Sequence, residues 1–286
     1  MRDVINETER AFYLENGYLV LRGALCREEL ERVQHATLQM IAGSDAGAQD
    51  FCFQGNTLAR IEYVIDKSPA LQALLANPFI LRSVEKLMGH DLLPTWDAMV
   101  VKMPGSGAEA HWHVDAATEC AGDTPIFNVD FYLDTAAKEN CVWLIPGSHQ
   151  WSEARRREWL ARDAVVTCHT PQQYEALGGV PALMQPGDVM FHDIRTLHGS
   201  PQTTCPDLRR VVYYEFRTGE VELRLGPHRP DYIPLKQDML RRCLQVRSAA
   251  YAIAGETEYD YCPTTSLDWS NEPQNTFRYP HENFWR

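Results

Sequence analysis

The sequence contains no hydrophobic run long enough to cross a membrane. No stretch approaches the roughly 18 uninterrupted apolar residues that a membrane-spanning helix requires. The first ten residues, MRDVINETER, are charged and polar and do not resemble the apolar segment of a signal peptide. The sequence therefore predicts a cytoplasmic protein that does not associate with a membrane.

Paired cysteines are also absent. The eight cysteines are scattered along the chain and include no CxxC pair, which argues against a cysteine zinc site. A chain of 286 residues buries enough surface to fold without disulfide bonds. We therefore expect reduced thiols, most of them buried.

Positive charge is scarce. Lysine and arginine number 27 against 39 aspartate and glutamate residues, so the formal net charge is −12. Nucleic acids and anionic membranes bind clustered cations, so this balance argues against both as partners and favours a small-molecule substrate. The one basic run, Arg155 to Arg157, is interpreted as the solvated face of a helix. A monomer or a homodimer is expected.

No internal repeat or low-complexity linker divides the chain, so a single domain over residues 1–286 is predicted. The first part, about 1–90, has apolar residues at helical spacing around one strand. Between about 91 and 218, short runs of β-forming residues alternate with turns, and DAVVTCH at 163–169 is included among these strands. That succession predicts a mainly β fold with flanking helices, of the jelly-roll or cupin-like type. A helix and an aromatic tail are predicted for about 219–286.

Potential metal ligands stand at every second position in the segment AHWHVDA, as His111, His113 and Asp115. Residues two apart on a strand face the same side, so all three can face one cavity. A second histidine pair follows at His192 and His198. Iron sites of the 2-His-1-carboxylate type combine a histidine and a carboxylate close in sequence with a distant histidine. Spacing alone does not rank these candidates.

Arginine follows the second histidine pair on the next β-forming run. Arg209 and Arg210 begin RRVVYYEF, and neighbouring residues on a strand face opposite sides. Arg209 is the favoured interior residue, because a guanidinium on a barrel strand pairs bidentately with a buried carboxylate. The hydroxyl of Ser200 can share that carboxylate, which suits a dicarboxylic co-substrate. Lys102, at the end of an earlier β-forming run, is interpreted as a solvated strand end, with contact to the co-substrate as the alternative.

Four blocks of the sequence, in order, resemble the phytanoyl-CoA hydroxylase-like family of iron(II)- and 2-oxoglutarate-dependent dioxygenases. The blocks are FYLENGYLVLRGALCREELERV, HWHVDA, YLDTAAKENCVWLIPGSH, and PGDVMFHDIRTLHGS followed by LRR. The resemblance implies a double-stranded β-helix whose iron ligands are His113, Asp115 and His198. It also implies that Arg209 and Ser200 bind the distal carboxylate of 2-oxoglutarate.

The resemblance further implies the reaction. Fe(II), 2-oxoglutarate and O2 are the expected cofactor and co-substrates, and 2-oxoglutarate is decarboxylated to succinate while a C–H bond of a small metabolite or natural-product intermediate is oxidised. In the related halogenases a small residue replaces the carboxylate ligand. The presence of Asp115 therefore favours hydroxylation over chlorination.

The run FNVDFYLD adds candidates for the substrate pocket. Asn128 and Asp130 share one face of the predicted strand, and in the resembling family that face lines the cavity. Asp130 departs from the family, in which many members have tryptophan or another uncharged residue there. A buried carboxylate is costly unless paired, so Asp130 is expected either to meet a substrate group or to pair with an interior arginine or histidine. His111 is the third candidate.

The alternative hypothesis is a three-histidine cupin dioxygenase, or a non-catalytic metal-binding cupin, that does not use 2-oxoglutarate. In that case His111 joins His113 and His198 as a ligand. Gly105 fits the cupin pattern, but Glu119 lies farther along the chain than the pattern requires, and a second cupin block is lacking.

Overall fold

The computed structural model describes residues 2–115, 126–225, 232–265 and 277. Within these ranges the α-helices are α1 Glu7–Asn16, α2 Arg27–Ala42, α3 Val64–Lys67, α4 Pro69–Leu75, α5 Pro78–Met88, α6 Glu153–Leu160, α7 Asp163–Val166, α8 Pro171–Ala176, α9 Gly219–Leu225 and α10 Tyr232–Val246. The strands are β1 Tyr18–Leu21, β2 Phe51–Gln54, β3 Thr57–Glu62, β4 Leu92–Lys102, β5 Ala110–His113, β6 Phe127–Tyr132, β7 Trp143–Leu144, β8 Val180–Pro181, β9 Val189–Asp193, β10 His198–Ser200 and β11 Arg209–Thr218.

The strands described here form two antiparallel sheets. The larger has seven strands in the order β1-β9-β6-β11-β4-β3-β2, and the smaller has four in the order β5-β10-β7-β8. Except for β2, β3 and β4, which follow one another, strands that are neighbours in a sheet are far apart in sequence, because the chain passes repeatedly from one sheet to the other. Two facing antiparallel sheets with helices outside them confirm the predicted jelly-roll fold.

Side-chain alternation along the strands separates two apolar clusters. On β11, Val212 packs with the helices in the larger cluster, whereas Val211 packs in the smaller cluster with Trp143 of the small sheet. On β9, Phe191 and Met190 divide in the same way. Because successive residues on a strand point to opposite faces, one face of the large sheet is covered by helices and the other faces the small sheet.

A hairpin in the first ninety residues departs from the prediction of helices around one strand. Strands β2 and β3 pair with each other, and β3 pairs with β4, so the hairpin extends the large sheet. The turn between them begins at Gly55, whose φ of 60° is in the left-handed region that favours glycine. The Gly-Asn dipeptide between two short runs is the signal that predicts such a hairpin.

The prediction of a strand at DAVVTCH is wrong, because the first four residues of this segment form helix α7. Its buried residues are Val165 and Cys168, while Val166 is exposed. The two buried positions are three apart, which is helical spacing and not the alternation of a strand. Packing of Val165 and Cys168 in the smaller cluster decided the structure of this segment.

The basic run of helix α6 is only partly a solvated face. Arg155 and Arg157 are exposed as predicted, but Arg156 is buried. Its guanidinium donates to the carbonyl oxygens of His149 and Trp151, which belong to the turn after β7. The middle arginine therefore fastens α6 to the loop that follows the small sheet.

The predicted C-terminal helix is confirmed as α10, which continues into a π-helical turn at Arg247–Tyr251. The predicted aromatic tail at 267–286 lies outside the described residues, apart from Phe277. The ring of Phe277 is 4.7 Å from the guanidinium carbon of Arg242. Among the described helices, none has the length and apolarity that a membrane span needs.

Replacing Phe131 by alanine tests the larger core. Phe131 is fully buried, and its ring centroid is 5.5 Å from that of Tyr214. Removing such a side chain leaves a cavity and costs about 3–5 kcal/mol of unfolding free energy, measured by urea denaturation. The control is Leu38→Ala, since Leu38 is 48% exposed, and there we expect a change within about 0.5 kcal/mol. Equal losses in the two variants would contradict this packing.

Candidate metal centre

The pairing of β5 with β10 brings two histidines together. His113 and His198 are partners in the antiparallel register, and their ring centroids are 4.2 Å apart. Asp115 follows β5, where its backbone N–H donates to the carbonyl of Ile194 at 2.9 Å. Its Oδ1 lies 3.8 Å from Nε2 of His113 and 3.6 Å from Nε2 of His198. The three donor atoms therefore converge on one point.

Backbone carbonyls set the tautomers of the two histidines. Nδ1 of His113 donates to the carbonyl oxygen of His111 at 2.6 Å, and Nδ1 of His198 donates to that of Thr196 at 2.9 Å. With the proton on Nδ1, the lone pair of each ring is on Nε2, the atom that faces Asp115. Hydrogen bonds of this kind orient the imidazole ligands of metal sites.

Burial keeps His198 neutral. Desolvation, together with the neighbouring His113, lowers the pKa of His198 to about 3. A neutral imidazole is the form that binds a metal ion. His198 is therefore in its ligating form throughout the physiological pH range.

A buried hydrogen-bonded network of Asn128, His192 and Asp130 supports Asp115. Oδ2 of Asp115 accepts from Asn128 Nδ2 at 3.0 Å and from His192 Nε2 at 3.2 Å. On its other side, His192 Nδ1 donates to the carboxylate of Asp130 at 2.7 Å. One oxygen of Asp115 is thus engaged by these groups, and the other faces the two histidines.

The charges in this hydrogen-bonded network compensate one another. Burial alone would lower the pKa of His192, but Asp130 and Asp115 raise it to about 10. Burial alone would raise the pKa of Asp115, but the facing imidazoles of His198 and His192 hold it well below its usual range. His192 is therefore a cation between two carboxyl groups, and Asp115 remains ionised.

A cavity of about 460 Å³ opens beside the three donors. Arg209 lines it and is 1% exposed, yet its Nε and Nη1 have no hydrogen-bond partner among the described residues. The hydroxyl of Ser200, also on the cavity wall, has none either. An unpaired buried guanidinium is costly, so these groups indicate a site for an anion.

Lys102 belongs to the same wall, although the sequence favoured a solvated strand end. It is the register partner of Arg209, is buried, and donates from Nζ to the carbonyl of Pro201. Burial and the charge of Arg209 lower the pKa of Lys102 to about 7. The expectation of a solvated residue is therefore wrong, because the loop at Pro201 covers the end of β4.

Arg210 faces away from the cavity. Its guanidinium forms a bidentate pair with Asp134, in which Nε donates to Oδ2 at 2.8 Å and Nη2 donates to Oδ1 at 2.7 Å. A further bond runs from Nη1 to the hydroxyl of Thr37 in α2. The register of β11 thus directs Arg209 into the cavity, whereas Arg210 links helix α2 to the large sheet.

The candidates for the substrate pocket separate in the structure. Asn128 lines the cavity. Asp130 does not line it, because the imidazole of His192 lies between its carboxylate and Asp115. Of the two expectations for Asp130, the structure shows pairing with an interior histidine.

His111 also lies away from the cavity wall, which corrects its assignment as a pocket residue. Its side chain is 67% exposed and is beside Glu109. The group that contains His113 and His198 has Asp115 as its third member and not His111, so the described residues do not form a three-histidine site. Glu119 of the cupin hypothesis lies outside the described residues.

The far wall of the cavity was missed by the sequence analysis. Alternate residues of β11 beyond Arg209 line it, namely Tyr213, Glu215 and Arg217. Arg217 Nε donates to Glu215 Oε1 at 2.9 Å, so this charge pair is internally satisfied. Counting in twos from Arg209 along RRVVYYEFR would have identified these residues.

Known proteins share this fold and family. The family model for phytanoyl-CoA dioxygenase (PhyH) matches residues 13–211. The probable alpha-ketoglutarate-dependent hypophosphite dioxygenase of Stutzerimonas stutzeri is 24% identical over 227 residues, covering 75% of this chain and 79% of that protein.

Solved structures show the same architecture. EctD from S. alaskensis, in a crystal structure with 2-oxoglutarate and 5-hydroxyectoine, superposes with a TM-score of 0.62 at 19% identity, covering 76% of this chain and 77% of that one. The alpha-ketoglutarate-dependent epimerase SnoN from nogalamycin biosynthesis superposes with a TM-score of 0.60 at 18% identity, covering 74% and 80%.

The jelly roll, with two histidines and an aspartate beside a cavity lined by an unpaired buried arginine, defines a class of enzyme, the iron- and 2-oxoglutarate-dependent dioxygenases. Within that class, the chain belongs to the phytanoyl-CoA dioxygenase family, whose model matches residues 13–211.

Replacing Asp130 by asparagine tests the support behind Asp115. The substitution keeps the shape but removes the charge that faces His192, so the imidazole no longer holds Asp115 firmly. Loss of such outer contacts typically weakens metal binding by about 10- to 100-fold, which a titration with Co(II) measures. The exposed Asp163 of α7 provides the control, Asp163→Asn, which should bind like the wild type. Unchanged affinity for Co(II) in Asp130→Asn would show that the network of Asp130 and His192 does not position Asp115.

Proposed function

We propose that His113, Asp115 and His198 bind iron(II), that 2-oxoglutarate binds beside them, and that the protein hydroxylates a C–H bond of a small molecule. The observation that supports this proposal is the presence, in one cavity, of the three donors together with the unpaired guanidinium of Arg209. O2 and 2-oxoglutarate are consumed, and the products are succinate, CO2 and the hydroxylated substrate.

The donor set fits iron(II). Two neutral imidazoles and one ionised carboxylate are the ligands of the facial triad found in non-haem iron oxygenases, and they leave the remaining positions open. The donor atoms of His113, Asp115 and His198 lie within 4.8 Å of one another. All three side chains line the cavity, so a metal ion held by them would be accessible from that space.

The anion-binding groups fit the distal carboxylate of 2-oxoglutarate. Two nitrogens of the buried Arg209 guanidinium are unpaired, and a guanidinium is a strong hydrogen-bond donor to a carboxylate. Ser200 offers a free hydroxyl, and Lys102 adds a second cation on the same wall. Among the described residues, no carboxylate forms an ion pair with Arg209 or Lys102, so their charge is available to a ligand.

The residues of this chain bind and orient the reactants. When bound, iron(II) supplies the redox chemistry that couples O2 and 2-oxoglutarate to oxidation of a C–H bond. Asp115 stays ionised because the imidazoles of His198 and His192 lower its pKa, and Asn128 and His192 orient it by holding one of its oxygens. Arg209, with Ser200, fixes one end of 2-oxoglutarate, so that its other end points toward the three donors.

The rest of the cavity is the proposed substrate site. The whole cavity, including the space for 2-oxoglutarate, has a volume of about 460 Å³, which falls in the range of small-molecule pockets. Its outer wall includes Trp96 and Tyr213, together with the paired charges of Glu215 and Arg217. The presence of the Asp115 carboxylate, which halogenases of this type lack, supports hydroxylation as the outcome.

Replacing His113 by alanine tests the proposed iron site. Succinate formation from 2-oxoglutarate under air with Fe(II) should fall at least about 100-fold, because removing a ligand destroys the triad. The control is His35→Ala, an exposed histidine of α2 that should keep wild-type rates. Wild-type succinate formation in His113→Ala would refute the assignment.

The pH dependence of 2-oxoglutarate binding tests Lys102. Its pKa of about 7 in the free protein means that the cation is present at pH 6 and largely lost at pH 8. Because the ligand is an anion, we expect its Kd, measured by anaerobic calorimetry with Fe(II), to rise up to about tenfold between pH 6 and pH 8.

Lys102→Met should bind 2-oxoglutarate more weakly at pH 6 and show no such rise. Lys138→Met is the control, since Lys138 is an exposed residue paired with Glu175, and it should keep the wild-type profile. A rise in Kd that persists in Lys102→Met would assign the pH dependence to another group.

A further inference from the structure

A second group of metal-donor side chains lies outside the three donors of the cavity. Glu109 precedes β5, His111 lies on β5, and His169 lies between α7 and α8. Their donor atoms are all within 4.8 Å of one another. None of the three belongs to the proposed iron site.

The two histidines of this group converge on one carboxylate. Nδ1 of His169 is 3.0 Å from both carboxylate oxygens of Glu109, and Nδ1 of His111 is 3.5 Å from Oε1. A tetrahedral zinc ion with bonds of about 2.0–2.1 Å has ligand-to-ligand distances of about 3.3–3.4 Å. The two histidine-to-carboxylate separations bracket that value, and all donor pairs are within 4.8 Å, so rotation of the side chains brings the three donors around one ion.

We infer that Glu109, His111 and His169 form a second metal site, which takes a zinc-type divalent cation and leaves its fourth position to solvent. Two imidazoles and a carboxylate select zinc over calcium or magnesium, which prefer oxygen ligands. The half-exposed histidine side chains, at 67% for His111 and 53% for His169, make the site accessible from solution.

The elements that present these donors are held together without the ion. Tyr174 of α8 donates its hydroxyl to the carbonyl of Ala110 in β5 at 3.2 Å, and its ring stacks on Trp112 with centroids 4.7 Å apart. The backbone N–H of His169 donates to the side chain of Gln173, which also closes the capping box of α8. The three donors are thus preorganised, which lowers the cost of binding an ion.

The site adjoins the catalytic cavity through Glu109. The side chain of Glu109 is 14% exposed and lines the cavity that contains His113. An ion bound there ties β5 to the segment between α7 and α8 and fixes one part of the cavity wall. The inference itself concerns a different set of ligands and does not depend on the proposed reaction.

Zinc stoichiometry under equilibrium dialysis tests the site. We expect two Zn²⁺ per wild-type chain, one at the triad of the cavity and one at the second site. His169→Ala should bind one, and His169→Cys, which restores a zinc ligand, should bind two. His90→Ala is the matched control, because His90 is an exposed histidine that faces a single carboxylate, Glu85, and it should bind two.

Asp115→Ala separates the second site from the proposed iron site. In that background one Zn²⁺ should remain, and adding His169→Ala should remove it. Zn²⁺ should also raise the Tm of Asp115→Ala but not that of the double variant, since binding to the folded state stabilises it.

Binding that His169→Ala leaves unchanged in both backgrounds would overturn the second site. By contrast, stoichiometry that falls with His169→Ala but not with Asp115→Ala would overturn the iron site and leave the second site standing.

Discussion

The register of β11 between β4 and β6 is the constraint on which the site depends. β11 is the long central strand of the large sheet, and Arg209 is paired with Lys102 at one end while Thr218 is paired with Leu92 at the other. This register sends Arg209 into the cavity and Arg210 toward α2. A slip of one residue would turn Arg209 out of the cavity and would separate Arg210 from its partner, Asp134.

Charge inside the protein is balanced on one side of the cavity and left open on the other. Asp115 is matched by His192, which is itself matched by Asp130. Arg209 and Lys102 have no carboxylate partner among the described residues. Because unmatched buried charge is unfavourable, this arrangement supports the proposal that an anion binds beside Arg209.

Strand β5 serves two sites at once. His113 extends into the cavity, whereas His111, two residues earlier on the same side of the strand, lies at its outer edge beside Glu109 and His169. Trp112 points the other way and packs against Tyr174 in the smaller apolar cluster. The same packing that fixes β5 therefore also fixes two of the donors of the proposed second site.

Local pattern in the sequence was sufficient to predict much of the molecule. Apolar periodicity predicted the mainly β fold with its flanking helices. Spacing made His111, His113 and Asp115 candidate ligands together with His192 and His198, and the family resemblance then implied His113, Asp115 and His198. Arg209 was preferred over Arg210 by its position on a strand. These features depend on residues near one another or on the period of a strand, so they are encoded locally.

Tertiary structure alone decided the rest. Lys102 is buried because the loop at Pro201 covers it, and Asp163–Val166 is helical because Val165 packs in the smaller cluster. Asp130 meets His192, and His111 meets His169, through contacts between distant segments. No period in the sequence reports such contacts, because they depend on how the sheets pack and not on the conformation of any one segment.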